Sequence, residues 1–373
     1  MFHFRHALLL ICALAVLSVS CAQPSPQPPA ITADNITALR PVRTARWDAH
    51  QRPLRIPSGW FALSPDGQAL VTGSAPAGAT VWDVGSGTLR GAYGLGLEAD
   101  PTAPPNLIDA RFSPDGQWIA ALHGAPLPDW PYGVFITPAD APDAPVTALP
   151  IPADYGYPFR VWFDAEQPER YVWLEFQPDL FDPSVGARQV ARFDLTSETA
   201  PLAVPSGPEN DPDSVVRIGR IPAPLAITAT ESGLVRLWDL QTAEVTAEVS
   251  LPVAPTFGRV NETEGLHFVW RDAASDWLNL LDFASGQNRP IAPLDGDYVQ
   301  ALLIAPAADV IVGVHRGDSP SVGAWLVETG QYLELGTYWE ACTRVPDMVA
   351  LSDDGARLVI GCDAGFEVWE VGG

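Results

Sequence analysis

Between Trp60 and Val84 the chain alternates apolar and polar positions in three short bursts separated by turn residues. Trp60–Leu63 is a brief alternating run, Ser64-Pro65-Asp66-Gly67 a tight turn, Ala69–Gly73 a second run, and Thr80–Val84 a third after a loop. Period-two alternation over a few residues, bounded by Gly, Pro, Ser and Asp, is the pattern of short strands. The stretch therefore predicts a three-stranded meander. The same order returns at Ile108–Leu122 (IDARFSPDGQWIAAL) and Met348–Gly361 (MVALSDDGARLVIG), and more weakly at Val299–Val314. Its third strand ends in Val81-Trp82-Asp83-Val84, again in Arg236–Leu240 and Val368–Val371, with degenerate forms at Arg192–Leu195, Leu280–Phe283 and Ala324–Val327. A turn such as Gly85-Ser86-Gly87 or Ser285-Gly286 then leads into a fourth, poorer strand.

Counted this way, seven units begin near Trp60, Ile108, Arg160, Val215, Thr256, Val299 and Met348. A repeat of roughly 40–55 residues is the spacing of four-stranded propeller blades. The expected fold is all-β: a β-propeller of seven four-stranded blades. The last unit ends at Val371 after three strands, and Ile36–Trp47 has a strand pattern with no partner of its own. A ring loses its open edges if that N-terminal strand completes the last blade.

The units resemble the WD40 family over nearly all of the mature chain. The Ser-Pro-Asp-Gly turn followed by Val-Trp-Asp-Val, as at Ser64–Val84, is typical of its bacterial members. The Gly-His pair that opens a WD40 repeat is reduced to Ala49-His50 and is absent from the other units. The family's His–Asp–Ser/Thr–Trp hydrogen-bond network is therefore not general here. The same turn occurs in six-bladed TolB-type propellers, so six and eight blades stand as alternatives to seven.

The N-terminus adds an address. Met1–His6 carries Arg5, and Ala7–Val19 is an almost unbroken apolar run, too short to span a bilayer and suited to a secretory signal. Ser18, Ser20, Cys21 and Ala22 follow, then the uncharged spacer Gln23–Pro29. This order resembles bacterial lipoproteins, in which Cys21 would be the lipidated N-terminal residue. Ser18 stands where that family has an aliphatic residue, and cleavage after Ala22 is the competing reading. The expected organisation is a signal over 1–21, a Pro-rich tether over 22–34 and a propeller over 35–373. Either cleavage exports the body, and the lipid would be its sole membrane attachment.

Composition changes the picture in two respects. Apolar residues make up 47% and charged residues 18%, as in a folded chain, and 38 prolines with 31 glycines suit many turns. The basic side chains are all arginine, and the formal charge is −24, spread along the chain. That field disfavours nucleic acids and anionic lipid surfaces and leaves basic or cationic partners open.

Two cysteines lie in the mature body, Cys342 and Cys362. A four-residue turn at Ser352–Gly355 would pair Leu351 with Ala356 and bring Cys362 opposite Val345, three residues from Cys342. In an oxidising compartment such proximity makes a disulfide the expectation, with two small buried thiols as the alternative.

Catalytic constellations are not found. His50, His123, His267 and His315 fall in different units without metal-ligand spacing, and a phosphate-binding Gly-x-x-x-x-Gly-Lys loop is impossible without lysine. Arg316-Gly317-Asp318 spells an integrin-type tripeptide that chance explains in a turn-rich chain. No cofactor is expected. Information lies in the loops between second and third strands, which are enlarged: Gly124–Gly133 with Asp129, Trp130 and Tyr132; Phe176–Arg188 with Asp179, Phe181 and Asp182; Arg271–Asn279 with Asp272, Asp276 and Trp277; and His315–Gly323 with Asp318. Loops on a rigid scaffold carry recognition, and aromatics beside carboxylates suit stacking and cation capture. The functional expectation is a non-catalytic platform for a protein, peptide or glycan at the cell envelope. The alternative is a propeller hydrolase, lyase or lactonase with an axial acidic or metal site.

Overall fold

A computed structural model describes residues 27–46, 61–74, 78–94, 106–124, 133–141, 147–151, 157–164, 166–177, 189–196, 202–203, 214–219, 225–230, 232–240, 242, 244–253, 255, 257–260, 266–272, 275–294, 298–316, 321–337, 342, 348–362 and 364–372. Its strands form seven four-stranded antiparallel sheets, each a meander of strands a to d. Six sheets are continuous in sequence, with first strands at Phe61–Leu63, Asn106–Phe112, Tyr157–Phe163, Ser214–Gly219, Phe257–Val260 and Tyr298–Ile304. The seventh takes strands a to c from Met348–Leu351, Arg357–Gly361 and Gly365–Val371, and strand d from Leu39–Arg46. Leu39 pairs with Val371 and Arg46 with Gly365, so the N-terminal strand closes the ring. Seven blades is the number, not six or eight.

The apolar interior is a ring of seams. One cluster joins blades one and two through Val71, Val81, Ala110 and Ile119, and another joins two and three through Ile136, Val161 and Leu174. Trp162, Trp173 and Trp238 join three and four. Successive clusters continue round to Phe366 and Val368 of blade seven, which meet Leu70 and Trp82 of blade one. Each blade is thus covered on both faces, so a second strand such as Leu225–Ala229 is buried throughout and shows no alternation.

One end of the ring is built from repeated Ser-x-Asp-Gly turns. In blade one the Ser64 hydroxyl accepts from Ala69 N–H at 2.8 Å, while the Asp66 carboxylate accepts from Gln68 N–H at 3.0 Å. Ser113 with Asp115 and Ser352 with Asp354 do the same. Each serine pairs with the residue five further on, so the loop begins after it. Leu351 therefore sits opposite Leu358, two residues from the expected Ala356. The turns also touch: Asp353 N–H donates to Pro65 O at 3.2 Å, and the Arg357 guanidinium to Gly67 O at 3.2 Å. Cys342, in the connection between blades six and seven, and Cys362, just after strand b of blade seven, are joined in a disulfide, Cα atoms 5.7 Å apart.

The chain is fixed to the body earlier than its composition suggests. The tether expected through residue 34 is docked from Gln27 onward, with Ile31 and Ile36 buried in the seam between blades six and seven. Those apolar side chains, between prolines and strand d, give the segment something to bury.

Candidate functional site

Of the loop residues singled out above, Asp272, Asp276 and Trp277 lie among the described residues. Asp129, Trp130, Tyr132, Asp179, Phe181, Asp182 and Asp318 lie outside them, as does Cys21. The described group forms the b–c hairpin of blade five, at the end of the ring opposite the Ser-x-Asp-Gly turns. Strand b (His267–Asp272) pairs with strand c (Trp277–Asp282), Asp272 directly opposite Trp277.

Both carboxylates are already engaged. Asp276 accepts from Arg271 Nε at 2.8 Å, and the second guanidinium nitrogen lies 2.7 Å away. Asp272 accepts from the Ser275 hydroxyl at 2.5 Å, and its backbone oxygen from Asp276 N–H at 2.8 Å. The register places Arg271 against Asp276, which is thereby matched by an opposite charge, while Asp272 keeps its charge beside the Ser275 hydroxyl. Trp277 is 38% exposed, on backbone paired on both sides, to Asp272 and to Pro293. The hairpin presents a fixed aromatic beside an ion pair, a surface suited to a polar-rimmed protein contact.

Sequence reasoning missed a second cluster, between blades two and three. Asp109, 2% exposed, accepts from Val161 N–H of the next blade at 3.1 Å and lies 3.4 Å from Arg111 Nε. Fully buried Glu175 lies 3.4 Å from Arg160. Burial holds the Asp109 carboxyl above the usual carboxylate range, against the opposing charge of Arg111, the Val161 N–H bond and Arg160. Each acid has a basic partner, so the cluster acts as a polar strut between blades. Its signal in the sequence is an Asp and an Arg on strands otherwise apolar. Among the described residues no group of three or more His, Cys, Asp or Glu is placed to hold a metal ion.

Buried tryptophans on strand c are tied by their indole N–H groups to threonines in two blades. Trp238 Nε1 donates to Thr228 Oγ1 at 2.8 Å, linking strand c to strand b of blade four. In blade one Trp82 reaches Thr80 at 3.2 Å, and Thr80 lies 3.0 Å from Thr72. In blade seven Glu367 is the acceptor for the strand-c Trp369, while Trp173 and Trp270, on strand b of blades three and five, donate to Asp164 and Asn288.

These features define a closed, seven-bladed, WD40-like β-propeller. No protein-family model matches the chain, and no curated protein sequence does. Among solved structures it is similar to the β-propeller domain of Cps50 (Swd1) from Myceliophteria thermophila, with a TM-score of 0.60 and 11% identity, covering 90% of this chain and 100% of that one. It is equally similar to a chain of the mitotic checkpoint complex, with a TM-score of 0.60 and 13% identity over 90% of this chain and 96% of that one. At such identities the likeness is one of fold.

Proposed function

We propose that this protein is an exported interaction scaffold, anchored through lipid on Cys21, that binds a protein partner on its b–c hairpin face. The observation that carries the reading is the blade-five hairpin: Trp277 is held half-exposed on a backbone paired on both sides, beside a neutralised Arg271–Asp276 pair. Rigid aromatic anchors with little conformational entropy to lose are favoured at interfaces. The propeller found in the mitotic checkpoint complex is consistent with partner binding by such a scaffold. The signal-like N-terminus and the oxidised Cys342–Cys362 pair are consistent with life outside the cytoplasm.

The test is a pull-down of the mature protein from its own cell envelope, with Trp130 and Trp277 intact or both replaced by alanine. The expected outcome is at least a tenfold loss of the captured partner, about 1.4 kcal/mol or more, with the melting temperature little changed. Equal loss of binding and stability would mean that both rings serve the fold.

A further inference from the structure

The chain enters the ring at one end. Ile31 N–H donates to Gly355 O at 2.8 Å, on the a–b turn of blade seven, and Ala33 N–H donates to Asp309 Oδ2 at 2.8 Å, beside the a–b turn of blade six. The Gln27 side-chain amide reaches the Asp354 carboxylate. Asn35 stiffens the segment, donating to Ala30 O at 2.7 Å and accepting from Thr32 N–H at 2.8 Å. From Gln27 onward the segment is part of the body, and it lies at the turn end. The Trp277 hairpin lies at the other end, because a–b turns and b–c hairpins terminate opposite ends of the same strands.

Length then restricts orientation. Six steps separate Cys21 from Gln27, at most about 22 Å of extended chain. A seven-residue strand, likewise six steps, spans about 20 Å before the turn at one end and the hairpin loop at the other are added. A ring lying with its hairpin face on the membrane would hold Gln27 farther from the lipid than the free chain can reach. The turn end also presents exposed Asp66 and Asp115, which anionic headgroups repel rather than attract. Its attitude is therefore set by the leash and not by adhesion.

Resting on the reading that Cys21 carries lipid, we propose that the anchored protein keeps its Ser-x-Asp-Gly turn end toward the membrane and presents the b–c hairpin face, with Trp277, away from it. The segment 27–38 is the device that fixes this polarity.

The geometry can be read without the cell. A chain beginning at Cys21, its Cys342–Cys362 disulfide intact, is coupled through the Cys21 thiol to a maleimide lipid in phosphatidylcholine vesicles. A fluorophore is introduced by an azido residue at exposed Thr242, on the c–d turn of blade four, or at exposed Ser275, on the b–c hairpin of neighbouring blade five. Neighbouring blades respond alike to tilt, so the comparison reads height. Energy transfer to a headgroup acceptor should be several-fold stronger from Thr242. Inserting twenty Gly/Ser residues between Cys21 and Gln27 should shrink that difference. Equal or stronger transfer from Ser275 with the native tether overturns the polarity. Separately, mass spectrometry of the native N-terminus reads the anchor: an unmodified start at Gln23 ends the lipid reading, and with it the orientation in the cell, whatever the vesicles report.

Discussion

Asp276, on a b–c hairpin, occupies a backbone conformation that c–d turns of the same geometry in this ring give to glycine. Its φ is 56°, and its N–H donates four residues back to Asp272 O at 2.8 Å. Gly87 and Gly330, each with φ 69°, make the same bond at the same distance to Asp83 and Leu326. The left-handed region costs a side chain up to about 1–2 kcal/mol, less for Asp than for most. A partly exposed ion pair with Arg271 returns at most about 1 kcal/mol. Asp276→Gly should therefore leave unfolding free energy within about 1 kcal/mol of the parent, by urea denaturation. If binding falls in the same variant, the carboxylate is kept for the surface. Asp109 gives a pH signature. Its folded pKa is raised by burial above the ordinary 3.8, so the folded state holds the proton more tightly than the unfolded one. That contribution is present below about pH 3.8 and is lost as pH rises through the folded value. Asp282 acts in the opposite sense: the Ser285 hydroxyl bond, with Ala284 N–H and His267, overcomes its burial and lowers its pKa, so its contribution is lost as pH falls below the usual range. Denaturation from pH 3 to 7 should show stability declining upward through the Asp109 window, and Asp109→Asn should flatten that limb. An unchanged slope would remove Asp109 as its cause.

At the scale of elements, the turns were legible and the distances between them were not. Ser64, Asp66 and Gly67 act within six residues of one another, so their chemistry is written locally and recurs wherever the triplet does. Three units were marked by that triplet, and the other four by the Trp-Asp-like endings of their third strands and by spacing. The exact register of the last hairpin depended on whether the serine lies inside or before the loop, and local pattern does not say. The partners of Asp272 and Asp276 depend on the same kind of register. The docking of Ile31 against blades six and seven was hidden for a different reason: a Pro-rich stretch reads as extended chain, and what it lies on is far off in sequence, 276 residues from Ala33 to Asp309 and 327 from Gln27 to Asp354. The disulfide closes a loop with a sequence separation of 20. By chain entropy, such a loop is worth about 3 kcal/mol. Reduced protein, or Cys342→Ser with Cys362→Ser, should lose about 2–4 kcal/mol against urea, and loss under 1 kcal/mol would show that the unfolded chain is not appreciably restrained by it. Gly355 offers a sharper local test, since a Cβ there would stand 2.6 Å from the Pro306 ring at φ 69°. Gly355→Ala should cost at least about 1–2 kcal/mol.

The whole molecule is stabilised seam by seam, with each blade dependent on two neighbours. Trp173 in the seam between blades three and four and Trp369 in that between six and seven are both fully buried. Truncating either to alanine should cost about 3–5 kcal/mol. Because the ring has no ends, the loss should lower one shared calorimetric transition; two separated transitions would show that blades melt independently. Deleting Ile36–Trp47 should abolish soluble folding, and a truncated protein with unchanged melting temperature would refute the closure.

That closure also orders events in time. The strand Leu39–Arg46 is synthesised before the six continuous blades, yet its partner, Gly365–Val371, follows all of them. Six blades can be complete while the seventh still lacks its outer strand and Gly365–Val371 has an unpaired edge. During that interval the nascent protein is an open arc, the form most exposed to pairing with another copy. A chain threaded through a membrane N-terminus first would have to keep Leu39–Arg46 unpaired until Gly365–Val371 arrived. The helper that such a protein most needs is one that shields that strand or the free edge until they meet.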